Sequence, residues 1–327
     1  MYRVTYKIKS KDIQAAANAI AIGQSIGNPT IRNNYENKEH SAEVIDIYDD
    51  NVIIGFKEKN LHKNTDVAQI LCTIQGGQSD IELFESCRVI DIDIKLKNIK
   101  PKINYKSRPL IGGIIKPKTG LTINQLVDIT KRMIDGGIDW IKEDEILSDP
   151  LYLPYEKRAE SIKNFNTDVM YCLCTNGSPK HLIKQISIAK HFNLGIHTNF
   201  WSGLGAYDNN VYTHFQRSGI RTITDNRNPF GIDWNVIVKL IILQGADSIH
   251  VGMLGGYYPT SDNEVMESIN LCRKYNVIPT LSCGMNPDTA RKIKNKIGNN
   301  WLAGIGGWLH DGDITNNVKK MRKALEN

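Results

Sequence analysis

The chain has 327 residues and a formal net charge of +6, from 41 Lys and Arg against 35 Asp and Glu. Hydrophobic residues make up 41% and charged residues 23%, a globular balance that excludes a disordered or collagen-like chain. The mild positive charge is not gathered into a stripe, so it suits small anions and speaks against a nucleic-acid-binding surface.

The N-terminal stretch carries Arg3, Lys7, Lys9, Lys11 and Asp12 with no apolar run behind them, so no signal peptide is expected. Residues 2–8 and 42–56 alternate as strands, 12–23 reads as a helix, and 66–75 as a helix or a strand. Residues 81–96 pass from an acidic segment into apolar alternation. This order suits a small α+β domain over residues 1–100. Residues 97–109, with two prolines and several lysines, read as a linker.

Beyond the linker, short β-branched runs alternate with amphipathic helical stretches. The strand-like runs are 110–115, 140–142, 169–174, 195–200, 220–224, 248–253, 278–281 and 301–305. Helical segments are expected at 122–134, 178–192, 234–244, 264–275, 287–297 and 314–325. Ser178-Pro179 and Asn286-Pro287 are good helix starts, a capping residue followed by proline at the first helical position. Eight such units over residues 101–327 fit a TIM (β/α)8 barrel, whereas a doubly wound sheet usually has fewer. The fold class expected is therefore α/β, a C-terminal barrel preceded by a small ferredoxin-like α+β domain.

The most apolar run, 236–243, is short and contains Lys239, so no membrane span is expected. Cys72, Cys87, Cys172, Cys174, Cys272 and Cys283 lie mostly in apolar runs without metal-site spacing, which suits reduced thiols in a cytoplasmic protein.

Barrel chemistry gathers at the C-terminal ends of the strands, and five clusters fall there. Lys116 and Lys118 follow the first strand. Alternation points them to one side, where two ammonium groups repel and favour a neutral amine able to take a proton; the alternative is a solvated basic loop. At the second strand, Lys142 precedes the adjacent carboxylates Asp144 and Glu145, a pair suited to a hard cation such as Mg2+. Lys142 either pairs with them as an ammonium or joins them as a CO2 carbamate. His250 stands between a β-run and a Gly-rich loop, as a structural or a functional histidine, and Arg227, after the fifth strand, is an anion ligand or part of a surface loop. The glycine-containing turns 281–285 and 303–307 follow the last two strands, where barrels often hold phosphate on backbone N–H groups.

These motifs resemble the RuBisCO large-subunit family in the same order. They are Ile-Lys-Pro-Lys-Thr-Gly-Leu at 115–121 and Gly-Gly-Ile-Asp-Trp-Ile-Lys-Glu-Asp-Glu at 136–145, then the His250 motif, Ser-Cys-Gly at Ser282, and Gly-Ile-Gly-Gly from Gly304. The resemblance spans essentially the whole chain. It implies that Lys142, as a carbamate, binds Mg2+ with Asp144 and Glu145, and that Lys116 handles a substrate C–H proton with Lys118 in support. It also implies that His250, Ser282 and Arg227 bind substrate and that Gly284, Gly304, Gly306 and Gly307 hold a phosphate. A homodimer, or a higher oligomer of dimers, is implied as well, with the N-terminal domain of one chain closing the barrel of the other.

The departures are specific. The loop at 252–258 lacks the lysine that carboxylases use there, with Tyr257 about in its place. Residues 23–30 offer no counterpart of the N-terminal glutamate, and Gly77 stands where an active-site asparagine is expected. The phosphate loop is Gly-Ile-Gly-Gly in place of three successive glycines, and no C-terminal extension follows within the 327 residues. The resemblance is thus to a RuBisCO-like protein of the non-carboxylating branch. It implies Mg-dependent enolisation or isomerisation of a phosphorylated keto sugar or sugar acid. The alternatives are a decarboxylase or transcarboxylase/hydrolase of a phosphorylated β-keto acid, then a ribulose-1,5-bisphosphate carboxylase or a non-catalytic metabolite binder. Specificity would rest on residues such as Asn199, Tyr257, Tyr258 and Trp308.

Overall fold

A computed structural model describes all residues except 28–37, 63–65, 166, 205–209, 257–259 and 327. It divides into two compact units, residues 1–97 with 220–244, and residues 98–219 with 245–327.

The first unit opens with β1 (Tyr2–Lys9), α1 (Ile13–Gly23), β2 (Glu43–Tyr48), β3 (Asn51–Phe56), α2 (Val67–Gln75) and β4 (Ser86–Asp93). The strands form one antiparallel sheet in the order β2-β3-β1-β4. With its two helices, this is the β-α-β-β-α-β order of a ferredoxin-like domain. Residues 42–56 resolve into a hairpin, with Asp49 at φ 50° in its turn. The ambiguous 66–75 is a helix because the Asp66 carboxylate accepts the Ala68 N–H as an N-cap.

The second unit is a closed barrel of eight parallel strands. In chain order the next elements are β5 (Leu110–Ile114), α3 (Ile123–Gly136), β6 (Trp140–Lys142), α4 (Tyr155–Lys163), β7 (Met170–Cys174), α5 (Pro179–His191), β8 (Gly195–Asn199) and β9 (Thr213–Gln216). Two helices of the first unit follow, α6 (Arg221–Thr224) and α7 (Trp234–Gln244). The barrel then resumes with β10 (Ser248–Gly252), α8 (Asp262–Lys274), β11 (Ile278–Leu281), α9 (Pro287–Ile297), β12 (Leu302–Ile305) and α10 (Ile314–Glu326).

Seven of the eight expected strands are present, two with the expected bounds and five with one end shifted by a residue, and the fifth is a correction. Residues 220–224 are β-branched but turn helical: Gly219 bends the chain at φ 81°, the Ile220 carbonyl accepts from Thr224, and Arg221 pairs with Asp225 at 3.2 Å. The fifth strand is β9, hidden in the sequence by His214 and Gln216, polar residues that a half-exposed strand would place in water. Helix α4 had no sequence signal either, being highly polar with Arg158 on its buried face.

The barrel is apolar at its floor. Leu110, Trp140, Cys172, Tyr212, Ile278 and Leu302 form one buried cluster, against which Ile103 and Tyr105 of the expected linker pack. That segment is consequently not a free tether. Its Lys102 pairs with Asp247 at 2.8 Å, and its Lys106 and Arg108 pair with Asp139 at 2.5 and 2.6 Å. Ser178 and Asn286 stand at the caps of α5 and α9, as expected. All six cysteines are free; four are buried, Cys283 is half-buried and Cys72 is exposed, a correction to the buried reading. Among the described residues no helix is long and apolar enough to cross a membrane.

Candidate active site at the strand ends

Polar side chains replace the apolar floor toward the C-terminal ends of the strands. Lys142 closes β6 and is only 2% exposed. Its Nζ donates to the Glu143 carbonyl at 3.1 Å and faces Glu145 Oε2 at 3.4 Å. Burial drives the Glu145 carboxyl upward, but Lys142, a backbone hydrogen bond and Lys118 together hold it below its ordinary value.

Asp144 is buried between three elements. One carboxylate oxygen, Oδ2, pairs with Lys116 Nζ, and Oδ1 lies 3.9 Å from Lys118 Nζ. Oδ1 has no hydrogen-bond partner among the described residues. The two lysines after β5 therefore share a counter-ion, which neutralises much of the repulsion that their spacing alone suggests. Lys116 Cε also comes 3.8 Å from where a Cβ on Gly306 would sit, so the loop after β12 borders the same lysine. His310 ties the two strands together, its Nε2 hydrogen-bonded to the Ile114 carbonyl at 2.9 Å.

Three imidazoles occupy the barrel interior: His197 on β8, His214 on β9 and His250 on β10. All are buried. Burial, with the Arg217 and Lys142 charges, pushes His250 down to about 3. His197 and His214 are held well below the ordinary histidine value by burial first and by Lys142 next. They are neutral imidazoles beside a buried lysine.

The remaining candidates lie on the loops after β11 and β12. Ser282 N–H donates to the Gly252 carbonyl at 3.2 Å. Gly304 lies against Ser282: a Cβ there would come 3.2 Å from the serine Cβ, tighter than ordinary packing. Gly284 adopts φ 91°, following Cys283 at φ 85°, so two successive residues are left-handed at this turn. Gly307 has open space around it. Asn199 caps a turn by accepting from Ser202 N–H at 3.1 Å, and Trp308 lies in the short helix after β12. Tyr257, Tyr258 and residues 28–30 of the segment expected to lack the N-terminal glutamate lie outside the described residues.

Arg227 is not at a strand end. It is eleven residues past β9, in the first compact unit, exposed, and bound to Asp225 through Nε at 2.9 Å and a terminal nitrogen at 2.7 Å. The arginine directly after β9 is Arg217, buried, donating to the Val251 carbonyl at 2.9 Å and to Glu264 Oε1 at 2.7 Å. It was missed with its strand; the signal was the Thr-His-Phe-Gln run just before it. Glu143, inside the quoted motif, was also passed over. It is fully buried and ion-paired with Arg158 of α4 at 2.7 Å.

Among the described residues no three His, Cys, Asp or Glu side chains converge as a metal site. For a metal held at this strand end, Asp144 and Glu145 would supply two carboxylates and a modified Lys142 a third ligand. The donor set fits: two hard oxygen donors, one of them with a buried oxygen lacking a hydrogen bond, and a lysine amine on the same strand end.

A family model for the ribulose bisphosphate carboxylase large chain, catalytic domain, matches residues 95–171. The ribulose bisphosphate carboxylase of Methanosarcina barkeri is 25% identical over 296 residues, 75% of this chain and 69% of that protein. The chain spans only 55% of two further Methanosarcina carboxylases. The 2,3-diketo-5-methylthiopentyl-1-phosphate enolase of Microcystis aeruginosa is 23% identical, covering 94% of this chain and 88% of the enolase. A solved rubisco-like protein from Burkholderia fungorum shares the fold, with TM-score 0.82, 19% identity and coverage of 99% of this chain and 93% of that one. A catalytic-domain match over residues 95–171, relatives along nearly the full chain and a shared fold make the chain similar to the family of the RuBisCO large chain.

Proposed function

We propose that this protein is a RuBisCO-like enzyme of the non-carboxylating branch. It catalyses Mg-dependent enolisation or isomerisation of a phosphorylated keto sugar or sugar acid. The observation that carries the reading is the meeting of Lys116, Lys142, Asp144 and Glu145 at two neighbouring strand ends. The lysine-free sequence at 252–258 supports a reaction without carboxylation. So does Gly77, which brings no side-chain amide to the position where the resemblance places an asparagine. The likeness to a phosphate-ester enolase points the same way.

Mg2+ would be held by Asp144, Glu145 and a carbamate on Lys142, and would supply positive charge where the substrate carbonyl oxygen becomes negative. Lys116 takes the C–H proton at Nζ. Asp144, which pairs with Lys116 Nζ, balances the charge of the ammonium so formed. Lys118 adds positive charge beside it. His250, Ser282 and a strand-end arginine orient the substrate, and the backbone N–H groups around Gly284, Gly304, Gly306 and Gly307 receive its phosphate. Residues 1–100 form the N-terminal domain and 101–327 the catalytic domain of a cytoplasmic homo-oligomer, as solved relatives described as octameric and dimeric suggest.

The test is Mg2+-dependent exchange of substrate C–H protons in D2O across phosphorylated ketoses and keto acids. Exchange without CO2 uptake or release is expected. Clear incorporation of labelled bicarbonate into ribulose bisphosphate, or no exchange with any of these substrates, overturns the proposal.

A further inference from the structure

We infer that Arg158 is a positioning residue for the proposed metal-binding strand end, acting through Glu143. This rests on the reading of Asp144 and Glu145 as ligands. Glu143 stands between Lys142 and Asp144 but faces away from both, into the layer between barrel and helices. There it is completely buried, as is Arg158. Every part of the pair is used. Glu143 Oε1 accepts from Arg158 Nε at 2.7 Å and from the Tyr171 hydroxyl at 3.2 Å. Oε2 accepts from Arg158 at 3.2 Å and from the Cys174 N–H of β7 at 2.8 Å. The two terminal guanidinium nitrogens then reach across the loop after β6, one donating to the Leu153 carbonyl and the other to the Ser148 carbonyl.

One guanidinium thus fixes both ends of the loop that carries Glu145. The rest of the loop is braced around it. Ser148 Oγ donates to the Asn176 carbonyl at 2.5 Å, Tyr155 N–H to Asp149 at 2.6 Å, and Gly120 N–H, from the lysine loop, to the Tyr152 hydroxyl at 2.8 Å. Ser148 is held at φ 45°. A buried ion pair is weak evidence for stability, since an apolar pair often serves as well. Its presence beside three proposed ligands is explained if it holds the backbone of residues 143–153 in one shape. Adjacent ligands on a chain this short can converge on a cation only from a fixed backbone.

The experiment compares the full-length protein with Glu143→Gln/Arg158→Met, which removes both charges but keeps an acceptor for Cys174, and with Arg158→Lys. Two readouts are taken: hydrogen exchange at the Leu147, Leu153 and Tyr155 amides, with the β7 amides as control, and Mn2+ affinity with bicarbonate present, followed by electron paramagnetic resonance. In the double variant, loop exchange is expected to quicken and Mn2+ affinity to fall, each by about tenfold or more. The β7 amides stay protected, and Arg158→Lys falls between. Wild-type loop exchange in the double variant overturns the inference. So does faster exchange with unchanged Mn2+ affinity. Should the double variant not fold, the same two criteria apply to Arg158→Lys. If the wild type binds no Mn2+, the ligand reading fails by itself, and the exchange data still decide whether Arg158 holds the loop.

Discussion

Lys142 Nζ and Glu145 Oε2 lie 3.4 Å apart, with the lysine almost wholly buried. In this state the amine is a counter-ion to the carboxylate that it is proposed to join as a ligand. Conversion to a carbamate reverses its charge from positive to negative. Two like charges then face each other, an arrangement that needs a cation between them. CO2 and Mg2+ binding should accordingly be coupled, each promoting the other. Lys142→Arg keeps the positive charge but cannot form this carbamate. It should lose Mg2+-dependent proton exchange by roughly 100- to 1,000-fold, the scale of removing one electrostatic stabiliser. Labelled bicarbonate should give a carbamate carbon resonance in the wild type and none in the variant. Full activity in Lys142→Arg would refute the carbamate.

The Lys116–Asp144 pair makes a second, separable prediction. Lys116→Met removes the proposed proton acceptor and also releases Asp144 from a competing cation. Proton exchange should drop by about 100- to 10,000-fold, the usual range for a general acid–base group. Mg2+ affinity should hold or rise, because Asp144 no longer has Lys116 as a partner. Titration calorimetry checks the second half. A fall in both would mean that Lys116 organises the metal site and does not act on the proton.

The strand count could be read from the residues because a barrel repeats one signal eight times, whereas nothing in the sequence set residues 220–244 apart from the barrel as part of the first compact unit. The failure at the fifth repeat has a physical origin. A strand whose neighbours bury it on both sides can carry His214 and Gln216 in the interior, where His214 Nδ1 meets Ser248 Oγ at 2.8 Å. Such a strand looks like a loop by composition. The error then propagated, since a candidate chosen for following the fifth strand moved with it, from Arg217 to Arg227. Nor could spacing show that Glu143 faces Arg158, because that partner is fifteen residues away on another element.

The two arginines can be told apart by kinetics. Arg217 sits directly after β9, and its charge already acts on His250. Arg217→Ala should raise KM for a phosphorylated substrate by roughly 10- to 100-fold, the range for losing a hydrogen bond to a charged group. Arg227→Ala removes only an exposed pair with Asp225 in the other unit and should leave KM within about twofold, as surface ion pairs contribute little. The opposite result would return the role to Arg227.

Finally, the three interior imidazoles tie stability to pH. An unfolded chain restores each histidine to about its ordinary 6.5, while burial and neighbouring positive charge hold His250 at about 3 and keep His197 and His214 well below 6.5. Between these values the unfolded state binds protons that the folded state refuses. Stability is therefore complete above pH 6.5 and declines as pH falls toward 3. Each histidine that has passed its unfolded value contributes a slope of about 1.4 kcal/mol per pH unit. All three shifts have the same sign, so their contributions add and steepen the decline as pH falls. Denaturant midpoints measured from pH 7.5 to 4.5 in metal-free buffer would show it. His197→Gln should flatten the slope by about one third if the three act alike, because one proton-binding site disappears from the unfolded chain. A midpoint that stays level through this range would mean that the imidazoles are protonated in the folded barrel, and that Lys142 has cationic neighbours instead of neutral ones.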